Sequence, residues 1–176
     1  MLKILIKSKV VKLESIHKRG VGKEHPKGHL IQLIAGIIFF LIWILDSFIF
    51  MFSTGLGSYI DFIIRIILCL SLLIIGLFLI FRTGHILFNK ENVPSKLIKK
   101  GIFAHTRHPL YLGVLIIYLG LILLSVSLLS IIGFIVAFIL YNWIATFEEN
   151  DLEKLFKEEY LEYKKRVPKW IPSFKN

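Results

Sequence analysis

The sequence predicts an all-α, polytopic helical membrane protein with four transmembrane helices, a cytoplasmic C-terminal helix and both termini in the cytoplasm. Three observations carry that expectation. Of 176 residues, 56% are hydrophobic, and the mean hydropathy is +0.73. Only 19% are charged, below the roughly 25% of an ordinary soluble domain. The apolar residues form continuous runs, far longer than the roughly ten-residue alternating strands of a transmembrane barrel. A disordered tail is excluded, and because a globule this small can hide only part of its apolar surface, a soluble domain is disfavoured.

The runs define the spans. Leu30–Phe52 has 23 residues with Gln32 and Asp46 as its only strongly polar members, and Ile60–Phe81 has 22, interrupted by Asp61 and Arg65. Each is long enough for a hydrocarbon core of about 30 Å. Leu110–Ile144 holds 35 residues without a charge, which as one straight helix would reach about 52 Å, too long for one crossing. The Ser125-Val126-Ser127 stretch divides it into a hairpin, Leu110–Leu124 and Leu128–Phe147. The chain then reads as a basic arm at residues 1–29, two spans within 30–81, and a third unit at 82–176 made of a polar loop, the hairpin and an amphipathic helix.

Charge orients this bundle. Eight Lys/Arg fall in residues 1–29, six in 82–108 and seven from 148 onward, leaving only Arg65 elsewhere among 22. By the positive-inside rule, these three segments are cytoplasmic. No cleavable signal peptide is visible, because Met1–Ile6 is short and interrupted by Lys3. The arm is suited to an anionic leaflet, where each Lys is worth about 1 kcal/mol; its other reading is a topology signal alone. Asp46 and Arg65 sit at similar depth, roughly 8–9 Å inside the outer edge at helical rise. The expectation is an Asp46–Arg65 contact between spans or an Asp61–Arg65 pair at i, i+4, structural in either case.

Two polar clusters end the last two spans. In the first, Pro109 suits the first position of a helix, with Arg107 and His108 beside the free N–H groups of that helix end, a natural anion site. Tyr111 and Gly113 follow, and the glycine permits close approach of a backbone or ligand. The alternative is an Arg/His interface anchor. In the second, residues 152, 155, 156, 160, 163 and 167 keep helical period, and Glu148 falls on the same inward stripe. Glu153, Glu158 and Glu162 read as solvated partners of lysines. Pro168 and Pro172 end that helix, with Trp170 at the interface.

The run Arg107-His108-Pro109-Leu110-Tyr111-Leu112-Gly113, then a hydrophobic hairpin, then Glu148-Glu149, Phe156, Glu158-Glu159-Tyr160 and Tyr163 to Pro168, resembles the isoprenylcysteine carboxyl methyltransferase family. These are integral-membrane enzymes related to phospholipid N-methyltransferases, and the resemblance covers about Ser95–Pro172. It implies transfer of a methyl group from S-adenosylmethionine in a pocket formed by the two cytoplasmic segments. It further implies cofactor contacts from Ser95, Lys96, Leu97, Ile98, Phe103, His108, Pro109, Leu110, Tyr111 and Glu148. Phe103 stands where many members have Tyr. One departure bears on the substrate: members acting on isoprenylcysteine carry an Arg four residues before that Glu, and here the position is Ile144. The carboxylate clamp is then missing or supplied by Arg107 or Arg166, with Asn142 the nearest polar substitute.

The chemistry agrees. A carboxylate acceptor is ionised at pH 7, with free α-carboxyl pKa values of about 3.3–3.7, so positioning and electrostatics suffice. The faces of Tyr111 and Phe103 suit a sulfonium, and Glu148 suits the ammonium or hydroxyls of the cofactor. An amine or thiol acceptor needs a base, for which His108, Glu149 and Tyr160 are candidates. The resulting expectation is a membrane methyltransferase acting on a lipid-like or prenylated acceptor from the bilayer, with its active site on the cytoplasmic side. The membrane is the cell membrane in a prokaryote or the endoplasmic reticulum in a eukaryote. The alternatives are a phospholipid N-methyltransferase, a thiol S-methyltransferase and, in another class, a non-enzymatic four-helix membrane subunit. His25/His29 and His105/His108 lack a third zinc ligand, no segment outside the membrane is large enough for a nucleic-acid fold, and no obligate protein partner is expected.

Overall fold

The computed structural model describes residues 27–88 and 97–173. Regular structure among them is helical throughout: α1, Gly28–Ile44, running on as a π-helical turn at Leu45–Phe50; α2, Phe62–Phe88; α3, Pro109–Ser125; α4, Leu128–Phe156; and α5, Glu158–Arg166. Short 3₁₀ turns occupy Gly55–Tyr59 and Gly101–Ala104. Among the described residues, three stretches are long and apolar enough to cross a membrane: Gly28–Phe50, Phe62–Leu87 and Leu128–Phe156. The apolar α3 is shorter, with 17 residues. Leu33, Phe48, Ile63 and Phe78 present more than half their surface outward, as helices that are apolar all round do in lipid. Residues 1–26 of the basic arm lie outside the described residues.

The hairpin breaks where the Ser-Val-Ser stretch predicts. Val126 takes a left-handed conformation, φ 54°, and its N–H closes on Ile122 O at 2.6 Å. Ser127 then caps α4, its Oγ accepting from Ser130 N at 3.0 Å, which satisfies an otherwise orphaned donor. Pro109 opens α3, as its missing N–H and pre-set φ favour.

Two features of packing position the site. The first is the seam between α2 and α3. A Cβ on Gly113 would lie 2.8 Å from Gly76 O, and one on Gly76 would lie 2.7 Å from Gly113 O. The two backbones meet directly there, which only glycine permits. The second is the core, where Phe39 of α1 stacks on Tyr118 of α3 at 4.1 Å, with Leu115, Ile122, Ala137, Tyr141 and Ile144 packed around them.

Two expectations are corrected. The C-terminal amphipathic helix is not one element. α4 runs unbroken through Glu148 and Glu149 to Phe156, and the chain turns at Lys157 (φ 45°, ψ −121°) before α5. That turn lets Tyr160, Tyr163 and Val167 fold onto Leu97 as a satellite core, with Leu152 and Phe156 against it. Nor does Arg65 form an ion pair with Asp46 or Asp61. Asp46, 2% exposed, accepts hydrogen bonds from Ser53 N (3.0 Å), Ser53 Oγ and Ser127 Oγ (2.5 Å). Asp61 accepts from Ile63 N at 2.8 Å, and Arg65 donates to Leu124 O at 3.0 Å. Short, rigid serines from two flanking loops satisfy the carboxylate in place at less entropic cost than reaching for a long guanidinium.

Candidate active site

The Arg107-His108-Pro109 turn is held from behind by the chain's last described stretch. Arg107 N donates to Pro168 O at 3.0 Å, Ser173 N to His105 O at 2.9 Å, and Thr106 Oγ1 to Lys169 O at 2.9 Å. Tyr163 Oη donates to Phe103 O at 2.6 Å. This strap sets Arg107 and His108 at the start of α3 opposite Glu148 and Glu149 near the end of α4.

The two stretches meet side chain to side chain. Tyr111 Oη donates to Glu148 Oε1 at 2.5 Å. His108 Nε2 lies 3.0 Å from Glu149 Oε1, and His108 Nδ1 lies 3.7 Å from Glu148 Oε2. Glu149 is also faced by Arg107 Nη1 at 3.2 Å and Lys169 Nζ at 4.0 Å, so this buried carboxylate is compensated, as burial of a charge requires. Burial holds the His108 pKa below its ordinary 6.5, although Glu149 pulls it upward. The imidazole is therefore neutral at pH 7, and its carboxylate partner calls for the proton on Nε2. Burial also pushes the Tyr160 and Tyr163 phenols up, well beyond neutral pH.

These groups border one half-open cavity of about 130 Å³, lined by Leu97, Ile98, Phe103, Arg107, His108, Pro109, Leu110, Tyr111, Glu148, Leu152, Tyr160 and Tyr163. That is below the roughly 300–1,000 Å³ of sites that enclose a drug-sized ligand, so the described walls bury part of such a molecule and leave the rest to the open side. At its border Arg107 Nε is buried without a hydrogen-bond partner, while Arg107 Nη1 is turned to Glu149. Buried orphans of this kind are costly and uncommon.

Most residues singled out in the sequence converge here. Ser95 and Lys96 lie outside the described residues. Arg166 does not converge: its side chain is 76% exposed and paired with Glu162 at 3.1 Å, so it supplies no clamp. Ile144 is fully buried in the apolar core, and Asn142 Oδ1 accepts from Trp170 Nε1 at 3.1 Å. Trp170 also lies beside His108, ring centroids 6.1 Å apart. Glu149 supports His108 and Arg107 and does not line the cavity. Burial raises the Tyr160 phenol further above neutral pH, which disfavours it as the base. His29, Gln32, Thr83 and Leu87 also line the cavity and were not expected there. The available signal was Gln32, the one strongly polar residue in the first half of an otherwise apolar span.

Behind the cavity stands a column of parallel rings. His108 and Tyr111 are 5.7 Å apart at 5°, and Tyr111 and Tyr141 are 5.8 Å apart at 4°. Tyr141 Oη in turn meets Tyr118 Oη at 3.3 Å.

The model of the phospholipid methyltransferase family matches residues 64–159, more than half of the chain. Protein-S-isoprenylcysteine O-methyltransferases are similar to it. That of Schizosaccharomyces pombe is 36% identical over 90 residues, which are 51% of this chain and 38% of that protein. That of Saccharomyces cerevisiae is 36% identical over 92 residues, 51% and 38%. The human protein is 32% identical over 93 residues, 52% and 33%. Each match therefore spans well under half of the relative's own length.

Proposed function

The chain belongs to the phospholipid methyltransferase family, and from that premise we propose that it is an integral-membrane methyltransferase transferring a methyl group from S-adenosylmethionine to a lipid-like or prenylated acceptor. In this reading α3 is a fourth, short crossing, the basic segments are cytoplasmic, and the cavity opens at the inner face of the bilayer. The observation that carries it is the meeting of the Arg-His-Pro turn and the tandem glutamates beside one cavity, with Glu148 on its wall and held by Tyr111, and Glu149 behind it holding His108.

The residues present fit the cofactor. Glu148 offers a carboxylate to an ammonium or hydroxyls, the faces of Phe103 and Tyr111 favour a cation, and Leu97 and Ile98 give apolar wall. The buried Nε of Arg107 lacks a partner that a polar ligand would provide. S-adenosylmethionine supplies a methyl group on a sulfonium, already activated for displacement.

The chain's own part is positional. The Tyr111 hydroxyl orients Glu148. Glu149 holds His108 and Arg107, and Arg107 is the guanidinium left to meet an acceptor carboxylate once Arg166 is set aside. The names of the relatives favour a prenylcysteine carboxylate, which needs no base. A second reading, an amine acceptor on a phospholipid, is favoured by the family model and by His108: with Nε2–H donated to Glu149, Nδ1 is free of a proton and can take one.

A labelled-methyl transfer assay against total membrane extract tests the reaction, and what becomes labelled identifies the acceptor. Calorimetry tests the site. His108→Ala and Glu148→Ala are each expected to weaken S-adenosylhomocysteine binding by about 1–3 kcal/mol, while Glu162→Ala leaves it unchanged. No heat from either S-adenosylmethionine or S-adenosylhomocysteine would favour a non-enzymatic membrane subunit.

A further inference from the structure

At the end of the bundle opposite the Glu148 cavity, Ser47, Thr54 and Arg65 line a second cavity beside the rings of Phe48 and Phe62. Arg65 is the one Lys/Arg of 22 outside the three basic segments. Asp46 is turned to Ser53 and Ser127, Asp61 is turned to Ile63 N, and Arg65 has no ion pair among the described residues. Its Nη1 donates to Leu124 O at 3.0 Å, and its Cζ lies 5.3 Å from the centroid of Phe62. Its Nε is buried without a hydrogen-bond partner, and so is Ser47 Oγ on the same cavity. A guanidinium without an ion pair at the border of an apolar span is costly, and two buried orphan groups facing one cavity add to that cost.

We propose that this cavity binds the phosphate of an anionic phospholipid in the leaflet opposite the active site. The guanidinium and hydroxyl donors suit a phosphodiester. The rings of Phe48 and Phe62, 61% and 58% exposed, flank the cavity where acyl chains would lie. An anionic headgroup is favoured over a choline-bearing one because Arg65, with no ion pair among the described residues, brings a positive charge to the cavity that a net anion neutralises and a zwitterion meets with a second cation.

The test is native mass spectrometry of the purified full chain titrated with phosphatidylglycerol, phosphatidylcholine or inorganic phosphate. Arg65→Gln removes the cation, and Ser47→Leu fills the cavity while leaving the arginine. The expected result is one phosphatidylglycerol held by the wild type, phosphatidylcholine held more weakly, and at least about tenfold weaker phosphatidylglycerol binding in each variant, the loss of one charged hydrogen bond. S-adenosylhomocysteine binding should be the same in all three proteins, which shows that they fold. If Arg65→Gln does not fold, Ser47→Leu carries the test alone. Equal retention of phosphatidylglycerol by the wild type and the folded variants overturns the proposal. So does displacement of the lipid by inorganic phosphate, which would mark a site for a soluble anion.

Discussion

His108 Nε2 lies 3.0 Å from Glu149 Oε1, and the same carboxylate faces Arg107 Nη1 at 3.2 Å and Lys169 Nζ at 4.0 Å. Glu149 therefore holds together three donors that would otherwise be buried beside one another. Glu149→Gln keeps the shape and removes the charge. It should lower stability by about 3 kcal/mol, the range for breaking a buried pair, read as a fall in melting temperature in detergent. An unchanged melting temperature would mean that the pairs contribute nothing.

The buried imidazole makes stability depend on pH. Because the folded-state pKa of His108 is held below 6.5, the unfolded chain takes up its proton first as pH falls. Stability from this group is complete above about pH 6.5 and is lost as pH drops from there toward the lower folded-state value. His108→Asn should flatten that part of a melting-temperature profile between pH 7 and pH 5. A parallel slope in the variant would assign the effect elsewhere.

Tyr111 and Arg166 should separate cleanly. Tyr111→Phe keeps the ring in its column and removes the hydroxyl that orients Glu148, so cofactor affinity should fall by about 1 kcal/mol with little change in stability. Arg166→Ala removes an exposed residue paired only with Glu162, and both cofactor affinity and methyl transfer should stay at the wild-type level.

Gly113 is tested by its missing side chain. A Cβ there would lie 2.8 Å from Gly76 O and 2.9 Å from Ile80 Cγ1, so α2 and α3 would have to separate. Gly113→Ala should cost about 1–3 kcal/mol, as overpacking does, and because α3 carries Pro109 and Tyr111 it should weaken cofactor binding too. Wild-type stability in this variant would show the seam to be looser than the contact implies.

Lys157 is exposed and adopts φ 45° with ψ −121°, a conformation glycine tolerates far better than lysine. Lys157→Gly should raise stability by roughly 1 kcal/mol, measured by chemical unfolding in detergent. A loss of stability would show that the turn between α4 and α5 is not strained.

Much of the site was legible because its signals are local. Pro109 at a helix start, the Ser-Val-Ser break and the inward placement near Glu148 each follow from a few adjacent residues. Which of two neighbouring glutamates is the more buried was not legible. Successive residues on a helix are about 100° apart, so a broad apolar stripe accommodates either, and Glu149, 4% exposed, proved to be the deeper. Arg166 matched its motif by spacing, yet the turn at Lys157 sends it to the surface.

Hydrophobic run length, charge asymmetry and the chemistry of the Arg-His-Pro and Glu-Glu segments are properties of the chain read in order. They determined helical class, the candidate spans and which two stretches to look for at a candidate site. Only the tertiary structure decided that Asp46 rests on serines and not on Arg65, that the first two helices lend His29, Gln32 and Thr83 to the cavity, and that Gly113 serves a helix seam. Those outcomes depend on which faces of distant helices meet, and a contact between residues dozens of positions apart is settled by shape and packing, which no local pattern encodes.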